Sequence, residues 1–182
     1  MSLVSIVVLN WNGRKFLERF LPVLVRCSDL PGVEIIVADS GSTDDSVLYL
    51  TSHWPRIRLI TLGTNYGFTG GYNRSLEQVD AKYFLLLNSD IEVTEGWLEP
   101  MLGLMENRED VAACTPKIKD LQRREMFEYA GASGGFIDRY GYTFCRGRIF
   151  DHLEEDRGQY DDTREVFWGS GACLMVRSEL YR

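Results

Sequence analysis

Three short segments of this 182-residue chain concentrate the side chains that could do chemistry. The first, VADSGSTDDS, sets Asp39 directly after the apolar run EIIVA. A carboxylate at such a boundary can accept a hydrogen bond from a ring N–H or a ribose hydroxyl. Ser40, Gly41 and Ser42 supply a tight turn, and Asp44 and Asp45 suit the start of a helix. Ser42, Thr43 and Asp45 read as turn and cap residues, whereas capping does not need Asp39, which is the functional candidate. The second segment, LLLNSDIEV, presents Asp90 just past an apolar run. It can hold Mg²⁺ or Mn²⁺ against a diphosphate, because these ions take few protein oxygens and fill their shell with phosphate and water. An Asx-turn leading to Thr94 is the structural alternative. The third segment, LGTNYGFTGGYNRS, carries Gly67, Gly70 and Gly71, which permit either close backbone approach to a ligand or tight helix packing. Asn65, Asn73 and Arg74 are its polar candidates, Arg74 for a phosphate. It has neither the lysine of a phosphate loop nor the spacing of the dinucleotide fingerprint.

The elements around these segments place them. Apolar runs rich in branched residues predict strands at Val4–Leu9, Val33–Ala38, Ile57–Leu62, Tyr83–Leu87 and Val111–Cys114. Helical patterning covers Arg14–Arg26, Asp44–His53, Phe68–Val79 and Trp97–Asn107, with Pro31 and Gly32 breaking the chain between the first helix and second strand. Alternating strands and helices with no period-2 polarity imply an α/β fold: a mostly parallel sheet covered by helices on both faces. Ligands of such sheets bind at the carboxyl ends of the strands. That rule selects the loops Asn10–Gly13, Asp39–Asp45, Gly63–Gly71 and Asn88–Ile91. From Lys117 to about Glu165 the sequence reads as an irregular, partly mobile excursion, with Glu154, Glu155 and Asp156 as solvated surface. Strand-like sequence returns over Glu165–Val176.

Composition narrows the function classes. Apolar residues at 45% and charged residues at 26% suit a globular domain. A formal charge of −7 argues against nucleic-acid binding through bulk charge. Cys27, Cys114, Cys145 and Cys173 lack paired spacing, so a zinc framework or thioredoxin-like motif is not expected and reduced thiols in the cytoplasm are. The apolar start, MSLVSIVVLNWNG, is shorter than the roughly 20 residues of a membrane span and lacks signal-peptide features.

In order, VSIVVLNWNG, VADSGSTDDS, NYGFTGGYNRS, NSD and FWGSGACLMVR resemble the family-two glycosyltransferases with the GT-A fold, a Rossmann-like nucleotide-diphospho-sugar transferase fold. The NSD form and the last segment are most similar to a rhamnosyltransferase-like branch. The resemblance covers most of residues 4–114 and 166–182. It implies a single GT-A-type domain over 1–182, with a nucleotide-binding half at 1–115 and the start of an acceptor-side half at 116–182. It implies that Leu9 and Trp11 line the base pocket and that Asp39 holds the base. Asn65, Gly71 and Asn73 would shape the wall beside the sugar diphosphate, with Arg74 near it. Asp90 would be the metal ligand, and Trp168 and Gly171 would sit beside the donor sugar and acceptor. The implied activity is inverting transfer of a sugar, rhamnose among the candidates, from a UDP- or dTDP-linked donor to a saccharide or lipid-linked acceptor. The implied setting is surface polysaccharide synthesis in the cytoplasm, at the inner face of the membrane with peripheral association. Asn88 stands where the family's metal motif begins with Asp, and Leu9 where a proline is common. No position matches the Glu-Asp or Asp-Asp pair that supplies the base, so the base is expected beyond Arg182 and residues 1–182 are expected to bind donor but be nearly inert. A non-catalytic nucleotide-sugar-binding module and a sugar-phosphate nucleotidyltransferase are the competing readings. The second lacks a Gly-rich, basic loop at LNWNGRKF.

Overall fold

The computed structural model describes residues 1–130 and 132–181. It divides into two compact units, one of Met1–Ala113 with the segment from Gly171 onward, the other of Cys114–Ser170. The chain returns to the first unit for its last strand.

In the first unit, strands β1 (Ser2–Asn10), β2 (Val33–Asp39), β3 (Arg58–Thr61) and β4 (Ala81–Asn88) alternate with helices α1 (Arg14–Cys27), α2 (Ser46–His53), α3 (Gly67–Leu76) and α4 (Leu98–Asn107). The first four strands lie in the order β3-β2-β1-β4, all parallel, with Asn10 opposite Asp39 and Leu9 opposite Asn88. Residues Tyr83–Leu87 of β4 are all buried, the mark of a strand covered on both sides. Val7, Phe84 and Leu86 meet Tyr72 and Leu76 of α3 on one face. Val8 and Leu87 line a seam with Leu17, Phe20, Leu21 and Leu24 of α1 on the other. Helix α2 starts two residues later than the pattern predicts, because the Asp44 carboxylate accepts the Ser46 amide at 3.0 Å and so stands ahead of the helix.

The sheet continues past β4 with β10 (Cys173–Arg177), antiparallel to it, and then β5 (Ala113–Cys114) at the edge. The fifth strand in sequence is therefore not the fifth in space. Arg177 explains part of this: it is only 9% exposed, and its guanidinium donates to Val111 O, Met105 O and Arg108 O at 2.7–2.8 Å. It thus ties β10 to the open carbonyl end of α4.

The second unit corrects the expectation of an irregular excursion. Strands β6 (Gly135–Ile137), β7 (Thr143–Cys145), β8 (Arg148–Ile149) and β9 (His152–Leu153) form an antiparallel meander. Phe127, Ala132 and Cys145 make its small core, with Tyr160 and Trp168 packed against it. Asp156 is not solvated surface either: its nearly buried carboxylate takes Lys117 at 2.9 Å and Lys119 at 3.2 Å. Burial pushes the Asp156 carboxyl up, but the bonds from Lys117, the Gly158 amide and Lys119 outweigh it and leave it below the usual carboxylate range. Gly135 is required by contact, since a Cβ there would lie 1.8 Å from Trp168 Cε2. Gly135→Ala is expected to loosen this unit by about 1–3 kcal/mol through overpacking. Hydrogen exchange read peptide by peptide should speed up within 114–170 and leave β1–β4 unchanged; uniform acceleration of both units would contradict it.

Candidate functional site

The carboxyl ends of β1, β2 and β4 bring Trp11, Asp39 and Asp90 to one edge of the sheet. Strand β1 lies between the other two, so the ends of β2 and β4 stand about 10 Å apart, two strand spacings. Asp39 is 2% exposed. Its Oδ1 accepts the Ser42 amide at 2.9 Å, and its Oδ2 accepts Asn10 Nδ2 at 2.9 Å and the Ser42 hydroxyl at 2.6 Å. Three of roughly four acceptor positions on the carboxylate are thereby filled.

The loops around Asp39 are laced to one another. Asn12, at φ +51°, accepts the Thr43 amide at 2.7 Å on its Oδ1, and its own amide donates to Ser42 Oγ at 2.8 Å. Asp44 Oδ2 accepts the Arg14 amide at 3.0 Å. Burial raises the Asp44 carboxyl, but bonds from Ser46 and Arg14 prevail and hold it below its ordinary value. On the other side, the Ser40 amide donates to Asn10 O at 2.8 Å, and Gly41, at φ +75°, lets its backbone pass where a Cβ would be 2.6 Å from Thr64 Cα. Ser42 is thus a partner of Asp39 rather than the cap residue its sequence suggests.

Trp11 follows β1 with 56% of its surface exposed, an open aromatic side chain one residue past Asn10, which pairs with Asp39 in register. Asp90 is exposed, and no hydrogen bond or ion pair among the described residues engages its carboxylate. The Asx-turn alternative is not seen; the turn there is closed by the Ile91 amide on Asn88 O at 3.4 Å. No group of three or more His, Cys, Asp or Glu among the described residues is placed to hold a metal. One open carboxylate fits an ion held chiefly by a diphosphate and water.

The remaining candidates divide. Asn65 lies in the exposed loop before α3, where its Oδ1 accepts the Gly67 amide at 2.8 Å. Arg74 reaches back along α3 to lie 4.0 Å over the Tyr66 ring, without a carboxylate partner among the described residues. Leu9 and Gly71 pack against each other: a Cβ on Gly71 would be 2.8 Å from Leu9 Cδ1, so this glycine seats α3 on β1. Asn73 is not brought to the strand ends. It accepts Tyr181 Oη–H at 2.9 Å and borders a hollow with Glu77 and Asp80, near the amino end of β4. Two residues past Gly71, helical rotation turns it away from β1 and toward Tyr181. Gly171 lies against Phe68, where a Cβ would be 3.0 Å from Cζ. Trp168 belongs to the second unit, its indole against Gly135 and its Nε1–H donating to Phe136 O at 3.3 Å. Asn10 was the residue sequence reading passed over. The available signal was a lone amide closing the strand VSIVVLN, opposite Asp39 in register.

No helix among the described residues is long and apolar enough to cross a membrane. The family described as glycosyl transferase family 2 matches over residues 5–182. An N-acetylglucosaminyl-diphospho-decaprenol L-rhamnosyltransferase of Mycobacterium tuberculosis is 26% identical over 197 residues, covering 99% of this chain and 63% of that protein. The glycosyltransferase YibD of Escherichia coli, itself uncharacterized, is 34% identical over 86 residues, 45% of this chain and 25% of that one. Among solved structures, S. aureus TarS 1–349 in complex with UDP-GlcNAc matches with a TM-score of 0.58 at 23% identity, covering 67% of this chain and 36% of that one. The mannosyltransferase PcManGT of Pyrobaculum calidifontis, in complex with GDP-Man and Mn²⁺, gives 0.56 at 19% identity over 64% and 35%. These structures share the fold. This chain spans 63% of the length of the mycobacterial relative. With that family match over the described strands and strand-end loops, the chain belongs to glycosyl transferase family 2 and has the GT-A fold.

Proposed function

We propose that this chain binds a uridine or thymidine diphosphate sugar and forms the donor side of an inverting transferase. One observation carries this reading: a held carboxylate, an exposed indole and an unpartnered carboxylate at the ends of three adjacent strands. Trp11 stacks on the base. Asp39 uses its remaining acceptor position for the imide N–H of uracil or thymine; cytosine offers an acceptor there and is disfavoured. Asp90 and Mg²⁺ or Mn²⁺ meet the diphosphate, where the ion supplies neutralisation of the departing charge. Arg74 adds a cation at the mouth of the same loops. An acceptor hydroxyl attacking opposite the diphosphate inverts the anomeric centre; the residue that takes its proton is assigned to no position in 1–182. The mycobacterial relative's rhamnosyltransferase activity and the expectation of surface-glycan synthesis support a rhamnosyl donor, a lipid-linked saccharide acceptor and work at the cytoplasmic membrane face. Asn65 and Gly171 stay as candidates for the sugar side.

Thermal unfolding tests the donor site. At a hundredfold excess over Kd, UDP or dTDP with Mg²⁺ or Mn²⁺ is expected to raise Tm by about 5–10 °C. Asp90→Ala removes an exposed, unpartnered group, so the free protein should melt within about 2 °C of the parent while the metal-dependent part of the rise disappears. No rise with either nucleotide, or the same metal-dependent rise in Asp90→Ala, refutes the assignment.

A further inference from the structure

We infer that Asn10 and Ser42 are positioning residues that hold the Asp39 carboxylate as a fixed acceptor for the base, an inference that rests on the donor-site reading above. Asn10 is 0% exposed and ends β1 directly opposite Asp39. Its Nδ2 is shared between Asp39 Oδ2 at 2.9 Å and Ser42 Oγ at 3.2 Å. Its Oδ1 is buried with no partner, facing Gly13, where a Cβ would lie only 2.3 Å away. A buried orphan acceptor is costly. A flipped amide would set that oxygen against Asp39 Oδ2 and leave Ser42 Oγ as its only donor. The arrangement therefore keeps the Asn10 donor on Asp39 at the expense of the other end of the same amide. Ser42 completes it from the turn, giving one carboxylate oxygen its amide and the other its hydroxyl. Among the described residues, every donor on the Asp39 carboxylate comes from these two residues, so a ligand must meet that carboxylate with a donor.

Asn10→Asp turns this geometry into a pH readout. Two carboxyl groups at the Asn10–Asp39 separation cannot both ionise at neutral pH, so the pair keeps a shared proton. With that proton on residue 10, the O–H replaces the amide donor and Asp39 stays an acceptor. Once it is lost, the two groups repel and the acceptor is displaced. The ionisable groups on the surrounding elements are Asp44 and Asp45 in the same loop, Arg14, Lys15, Glu18, Arg19 and Arg26 on α1, Tyr49 and His53 on α2, Tyr66 and Arg74 at α3 and Asp90 after β4; none is bonded to the side chain of Asp39 or Asn10. The parent protein titrated in parallel removes their contribution.

The experiment is calorimetric titration of UDP with Mg²⁺ into parent, Asn10→Asp, Ser42→Ala and Ser42→Thr, at pH 5.5 and 8.5. Asn10→Asp should bind within about threefold of the parent at the lower pH and at least about tenfold more weakly at the higher one. Ser42→Ala should weaken binding about tenfold at both values, with Ser42→Thr recovering most of it. A loss in Asn10→Asp that is equal at both pH values marks a packing role and overturns the inference, as does binding equal to the parent throughout. If Asn10→Asp does not fold, the Ser42 pair decides: equal binding in Ala and Thr variants overturns it. Failure of the parent to bind UDP refutes the donor-site reading instead.

Discussion

Asp39→Asn is expected to weaken UDP binding by about 10- to 100-fold, the weight of one charge-assisted hydrogen bond. The substitution preserves shape, and one oxygen remains to accept the Ser42 amide. The new Nδ2, however, faces Asn10 Nδ2, which approaches this position at 2.9 Å, so donor opposes donor inside a buried pair. Rotating the new amide merely turns the conflict on the Ser42 amide. Either way the base meets a group whose acceptor is misplaced or spent. The same conflict costs stability, about 1–3 kcal/mol for a buried donor left unsatisfied. Calorimetry at 15 °C, well below the melting range, separates the two effects, because it reads binding in the folded population alone. A lowered Tm with parental affinity would show that Asp39 only buttresses the loops and touches no ligand.

How much of this was legible in the residues depends on element length. Strands of seven to nine residues such as VEIIVAD and SLVSIVVLN announce themselves by unbroken apolar runs. Because a parallel sheet exposes its carboxyl ends to ligands, the strand ends pointed to Asp39, the last residue of β2, and to Asp90, two residues past β4. The second unit was illegible for the opposite reason. Its strands are two or three residues long, too short for any period, and its order depends on contacts distant in sequence such as Trp168 on Gly135 and Lys117 on Asp156. Asp156 looked solvated because an acidic run usually is; nothing local reveals two lysines arriving from 37 and 39 residues upstream. Asn73 and Gly71 sit two residues apart in one motif, yet helical rotation turns Gly71 onto β1 and Asn73 toward Tyr181. Ser42 matched a cap residue in type and place, and only register with Asn10 and Asp39 reassigns it.

The last strand carries the largest expected effect on stability. Arg177→Met keeps the length and the apolar stem but removes the guanidinium that donates to Val111 O, Met105 O and Arg108 O and reaches Tyr83 Oη at 3.3 Å. Arg108 O retains the Val111 amide at 3.2 Å, and Met105 O shares the one Tyr83 hydroxyl hydrogen with Glu106 Oε1, whereas the guanidinium donor to Val111 O is not replaced. Allowing for partial relaxation, the loss should be about 3 kcal/mol, or about 6–12 °C in Tm for a chain of this size. Arg177→Lys should recover only part of it, because one ammonium cannot span carbonyls that a planar fork meets together. The consequence reaches the site through one further bond: the Asn88 amide donates to Ala172 O at 2.9 Å, just before β10, and Asn88 opens the turn that carries Asp90. Loosening β10 should therefore weaken the metal-dependent part of nucleotide binding and leave the part carried by Asp39 and Trp11 on β1 and β2. A Tm within 2 °C of the parent in Arg177→Met would show that β10 is held by its ladder with β4 alone.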